Sequence, residues 1–183
     1  MAAGKSLTQM QVITDNYKSA IDSLSVRVGE ILKRKGLTLA VAESCTGGLL
    51  GGRVTSAAGS SAYFRGGVIA YDNGVKRGVL GVPPEDLERY GAVSAQVVED
   101  MAGGAANLFN ADCALSVSGI AGPDGGTAEK PVGLVFIGIF YGGAARSRSF
   151  VFGGGREEVR AKSVDAALEF LIEAAENDGQ VNE

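Results

Sequence analysis

Residues 37–48, LTLAVAESCTGG, decide how the rest of the chain is read. Leu37 to Ala42 is a short apolar run of the kind that makes a buried strand, and it passes directly into Glu43-Ser44-Cys45-Thr46-Gly47-Gly48. Small residues continue to about Ala57 and read as a helix. A strand that turns on glycine into a helix is the opening unit of an α/β sheet. A side-chain nucleophile at that turn would sit beside free helix amides, which stabilise an oxyanion. Ser44 would equally serve as a plain helix N-cap, with the glycines present for close packing.

Outward from this stretch the chain alternates. Upstream, Ala20, Ile21, Leu24, Val28, Ile31 and Leu32 recur at helical spacing from about Asp15 to Lys35, and Gly36 stops the pattern. Downstream, Gly67 to Tyr71 reads as a strand, Pro83-Pro84-Glu85 opens a short acidic helix, and Ser94 caps a helix running to Phe109. Cys113 to Val117 is a further strand. Val132 to Tyr141 and Arg146 to Phe152 should pair antiparallel across Gly142-Gly143, before a last helix from Arg156 to about Glu176. The sum is a single three-layer α/β/α domain over residues 15–177 with a mostly parallel, mixed sheet. Residues 1–14 and 178–183 are expected to be loose ends.

Composition narrows the chemistry. The chain has 183 residues, 45 % of them hydrophobic, which suffices for one substantial core. Its formal charge of −4 leaves no broad nucleic-acid footprint, so no nucleic-acid partner is expected. No stretch approaches a membrane span, no apolar leader is visible, and the two cysteines form no disulfide framework or metal knuckle. A cytoplasmic protein follows, with neither metal nor cofactor. The 28 glycines, roughly twice the average usage of about 7 %, cluster where elements should begin or end. Most informative is the absence of histidine. It removes the Ser-His-Asp triad, the Cys-His pair and His-ligated zinc together. A general base must then be Lys, Tyr, Asp, Glu or a water they hold.

Three further segments could carry chemistry. Tyr71-Asp72-Asn73-Gly74-Val75-Lys76 offers Lys76 as a base for Ser44, or alternatively an Asn73-Gly74 hairpin turn with a solvated lysine. Lowering a lysine from its usual ~10.4 to about 7.5 requires about 4 kcal/mol of differential stabilisation, which burial can provide. Tyr71, Asp72 and Glu43 are the other possible bases. The Gly-rich stretch from Ser118 to Pro131 follows a buried strand, where open α/β sheets place their sites, yet it contains neither GxGxxG nor GxxxxGK[ST]. Gly153-Gly154-Gly155-Arg156 suits a phosphate or carboxylate, or is simply a glycine turn with an exposed arginine. Cys45 also competes as nucleophile, but neighbouring side chains diverge, so only one of Ser44 and Cys45 can face a site.

Taken together, AESCTGG (42–48), AGSSAYFRGGVIAYDNGVK (58–76), GAVS (91–94), SGIAGPDGGTAEKPVG (118–133) and the closing Gly-Arg closely resemble the C-terminal domain of the CinA (competence/damage-inducible) family. The resemblance runs from about Gly29 to Phe170. It implies a three-layer α/β/α fold with a mixed sheet and the activity of a nicotinamide-nucleotide amidase, deamidating nicotinamide mononucleotide to nicotinate mononucleotide in pyridine-nucleotide recycling. It places the nucleophile on Ser44 and its partners on Tyr71 and Lys76. Substrate contacts fall on Thr46, Gly47, Gly48, Ser118, Gly119, Gly122 and Arg156. A small-molecule nucleotide and a homo-oligomeric state are expected. Asp72 and Gly74 depart from the Ser and Glu usual in relatives, and the glycine triplet before Arg156 replaces a more varied segment. Many relatives carry a second, molybdopterin-binding-like domain for which these 183 residues leave no room, so its activities are not carried over. The rival reading is a non-catalytic nucleotide-binding or regulatory module of the competence or DNA-damage response.

Overall fold

The computed structural model describes residues 23–177. A first helix, α1, covers residues 23–35, so part of the expected 15–35 helix is present, while residues 15–22 and both expected loose ends lie outside the described residues. Then follow β1 (Leu39–Glu43), α2 (Leu49–Thr55), a 3₁₀ turn (Ser60–Ala62), β2 (Phe64–Ile69), α3 (Asn73–Gly78), α4 (Pro84–Tyr90), α5 (Ala95–Phe109), β3 (Cys113–Gly119), β4 (Leu134–Tyr141), β5 (Ala144–Val151) and α6 (Arg156–Asn177). The strands form one sheet in the order β2-β1-β3-β4-β5. β1 is central among the parallel strands and wholly buried, as its unbroken apolar sequence requires.

Alternation along β1 explains the layers. Leu39 and Val41 join a core with α1, α2 and α6, whereas Ala40 and Ala42 join a second core with α5 and the region around α3. The sheet face toward α5 carries small residues, and they let this helix pack closely on it. A Cβ on Gly138 of β4 would overlap the carbonyl of Val98 and the hydroxyl of Ser116. Fully burying each large side chain of the opposite core, such as Leu39, Leu115 or Ile137, contributes about 1.5–3 kcal/mol.

The sheet is mixed. β2, β1 and β3 pair in parallel, while β3–β4 and β4–β5 pair antiparallel. The antiparallel share is larger than strand–helix alternation implies, because no helix intervenes between β3 and β4. The 120–133 segment simply returns the chain. Gly142 and Gly143, with φ of 62° and 81°, then form the expected hairpin turn. Two antiparallel steps leave β5 running in the direction of β3. The carboxyl ends of β1, β2, β3 and β5 therefore open on one edge, and each is followed by one of the sequence segments singled out above.

Candidate active site

Ser44 sits one residue beyond β1 and is half-buried. Its backbone N–H still donates to Val117 O of β3 at 2.9 Å, so the residue is held by the sheet. The chain then turns through Gly47 and Gly48, whose φ values of 59° and 98° belong to the left-handed region that glycine tolerates. Glu43, only 2 % exposed, points back under this turn. Its carboxylate accepts from the amides of Gly48 (2.9 Å), Leu50 (3.0 Å) and Gly51 (2.8 Å). These are free amides of the first turn of α2. The cap of this helix is thus Glu43 and not Ser44, which leaves the serine hydroxyl uncommitted to capping.

Lys76 comes to the serine from α3. The hairpin alternative for this segment is overturned: Asp72 accepts from Gly74 N at 2.6 Å and caps a helical turn. Lys76 is 1 % exposed, and its ammonium lies 3.4 Å from Ser44 Oγ, 2.8 Å from Ala70 O and 3.3 Å from Tyr71 O. These two carbonyl contacts also explain why β2 stops at Ile69 and not at Tyr71. Burial pushes the lysine below its ordinary titration range, against the opposing pull of Asp72 and then Cys45. Cys45 itself is a buried thiol pushed up to about 11, mainly by burial. That leaves it a poor nucleophile at neutral pH.

The remaining expected residues divide into two groups. Tyr71 is 62 % exposed, and its phenol oxygen stands 3.4 Å from Arg156 Nη2. Arg156 also donates to Gly122 O at 2.9 Å, joining the start of α6 to the Gly-rich loop. Thr46 is fully buried, with its carbonyl accepting from Arg160 Nη2 at 2.9 Å and its hydroxyl without a partner. Ser44, Thr46–Gly48, Tyr71, Lys76, Gly122 and Arg156 therefore form one neighbourhood. Ser118 and Gly119 lie at the adjoining end of β3, but the Ser118 hydroxyl donates to Ala92 O at 2.7 Å and Gly119 is paired with Val135.

Sequence reasoning missed three residues here. Glu43, a candidate base in the sequence, has both its oxygens engaged by amides. Arg160 lies one helical turn beyond Arg156, a spacing that puts both guanidiniums on one face of α6. Lys130 donates to Tyr90 O and Val93 O, each at 2.7 Å, and so ties the Gly-rich loop to the α4–α5 turn. A groove of about 720 Å³ elsewhere, along α5, includes none of these groups. No described helix is long and apolar enough to cross a membrane.

Comparison with known proteins gives a consistent picture. The family model of the CinA C-terminal domain matches residues 21–175. A CinA-like protein of Trichormus variabilis is 52 % identical over 160 residues, covering 86 % of this chain and 38 % of the relative. A putative competence-damage inducible protein of Desulforudis audaxviator is 50 % identical over 144 residues, covering 79 % and 35 %. The chain thus spans little more than a third of the length of these relatives. Among solved structures, the competence/damage inducible protein CihA from Agrobacterium tumefaciens superposes with a TM-score of 0.82 at 44 % identity, covering 84 % of this chain and 94 % of that one. A CinA superfamily protein from Klebsiella pneumoniae gives 0.83 at 35 % identity, covering 86 % and 98 %. On sequence and fold alike, the chain belongs to the CinA C-terminal domain family.

Proposed function

We propose that this protein is a serine amidohydrolase that converts nicotinamide mononucleotide and water to nicotinate mononucleotide and ammonia in the cytosol. One observation carries the reading: in a chain without histidine, a buried lysine amine approaches a serine hydroxyl to 3.4 Å. Desolvation favours the neutral amine, which is the form a base needs. The Lys76 amine takes the Ser44 proton as Oγ bonds to the carboxamide carbon, and the carbonyl electron pair moves to oxygen. The oxyanion is assigned to the amides of Cys45 and Thr46, since those of Gly48, Leu50 and Gly51 are taken by Glu43. Collapse breaks the C–N bond while the Lys76 ammonium returns the proton to the departing nitrogen, and ammonia leaves.

Water then attacks the acyl-serine. Its proton passes to Lys76, the acyl–oxygen bond breaks, Ser44 recovers a proton, and the acid product loses its own to solvent. Arg156 and the Gly122 end of the loop hold the phosphate and ribose. Tyr71 serves to orient and not to relay, because its phenol lies by Arg156 and it meets Lys76 only through its carbonyl. The test is ammonia release from nicotinamide mononucleotide, compared with nicotinamide and other amides. Release from the nucleotide alone supports the reading. Release from a different amide keeps the mechanism and replaces the substrate. Nucleotide binding without ammonia would make the chain a non-catalytic module of a competence or damage response.

A further inference from the structure

Glu43 is a buried carboxylate with no cationic partner among the contacts of the described residues, and the proposed reaction has no chemical step for it. An uncompensated buried charge is expensive, so the three amides that hold it must form one rigid unit with it. That unit spans the residue immediately before Ser44 and the first turn of α2, and so closes the 44–47 turn from below. The turn is held from above by Arg160, which donates to Thr46 O, and from the sheet by Val117, which accepts from Ser44 N. Gly51 lies against the carboxylate, where an added Cβ would stand 3.4 Å from Oε1, in van der Waals contact.

We infer that Glu43 is a positioning residue for the nucleophile: it fixes the 44–47 turn so that the Ser44 hydroxyl meets Lys76 and the Cys45 and Thr46 amides stay free for the oxyanion. By occupying the amides at the start of α2, it also directs anionic parts of a substrate away from that helix and toward Arg156. The inference rests on Ser44 acting as the nucleophile, so its test includes a readout that does not depend on the substrate.

Glu43→Gln keeps the shape but cannot accept with both terminal atoms, and Glu43→Asp keeps the charge but shortens the reach. Each variant is compared with the wild-type chain in three measurements. These are the rate of Ser44 modification by a fluorophosphonate, located by peptide mass; kcat and KM for ammonia release; and cooperative thermal unfolding. Both variants should unfold cooperatively, label Ser44 at least about tenfold more slowly, and lose about 10- to 100-fold in kcat with KM within about threefold. The pH midpoint of the rate should stay in place, since the carboxylate that pulls on Lys76 is that of Asp72 and not of Glu43. Labelling at the wild-type rate in both variants overturns the inference whether or not nicotinamide mononucleotide is the substrate. Loss of cooperative unfolding in both would make Glu43 a folding residue and overturn it too. Ammonia release failing while Ser44 labelling slows as expected would instead reject the substrate and keep the positioning role.

Discussion

The turn after β1 and the loop after β3 leave neighbouring parallel strands at the same edge of the sheet, yet they are built on opposite principles. The first takes five residues, 44–48, to reach α2, and it is fixed by a buried carboxylate below, a buried lysine beside it and an arginine above. The second takes fourteen residues, 120–133, to reach β4, with an exposed stretch from Pro123 to Glu129. It is tied down at separate points: Arg156 on Gly122 O, Lys130 on Tyr90 O and Val93 O. In the proposed reaction the short turn breaks the bond, where a small misplacement is costly, and the long loop recognises the substrate, where adaptability is tolerable.

Substitutions on the two sides should therefore fail differently. Ser44→Ala should give the largest effect, a loss of about four orders of magnitude or more in kcat with nucleotide binding retained, read by ammonia assay and calorimetry. A small loss there, or an essential Cys45 in its place, breaks the assignment. On the loop side, Arg156→Ala should raise KM for the phosphorylated substrate about 10- to 100-fold and spare kcat, as removal of a charged hydrogen bond does. A kcat defect without a KM change would put Arg156 on the wrong side of the comparison. Lys130→Ala should raise KM only about three- to tenfold, with faster hydrogen exchange along 120–133, because the loop keeps its anchor at Arg156. Smallest is Cys45→Ala, expected within about threefold of wild type, since the thiol is buried and pushed up to about 11. EDTA should likewise leave the rate unchanged, which histidine-free sequence and scattered cysteines both anticipate.

What was legible in the sequence follows the same divide. Strong local signals read correctly: Ser94 as the cap of α5, Gly142-Gly143 as a hairpin, Gly153–Arg156 as the entry to α6. The short turn could also be located, because the apolar run of Leu37–Ala42 must end in something polar. The identity of its cap was hidden. Ser44 has the right residue type at the right place, but in the fold Glu43 reaches Gly48, Leu50 and Gly51 instead. Likewise Asn73-Gly74 is a hairpin signal in isolation, overridden once Asp72 caps α3 and Lys76 is drawn inward onto the Ala70 carbonyl. The residues that bridge elements far apart in sequence, Lys130 to the α4–α5 turn and Arg160 to Thr46, have no local pattern to announce them.

If Lys76 acts as a neutral base on Ser44, kcat/KM must follow its ionisation. The rate should rise with pH on one ionisation, because the base must lose its proton, with a midpoint below the ~10.4 of a free lysine. Asp72 favours the charged form, so Asp72→Asn should move that midpoint lower still. Lys76→Arg keeps the positive charge without a usable base and should lose about 10³-fold across the range, with no rising limb. A profile that is flat in the wild type between about pH 6 and 10.4, or a Lys76→Arg variant near the wild-type rate, would show that Lys76 is not the base.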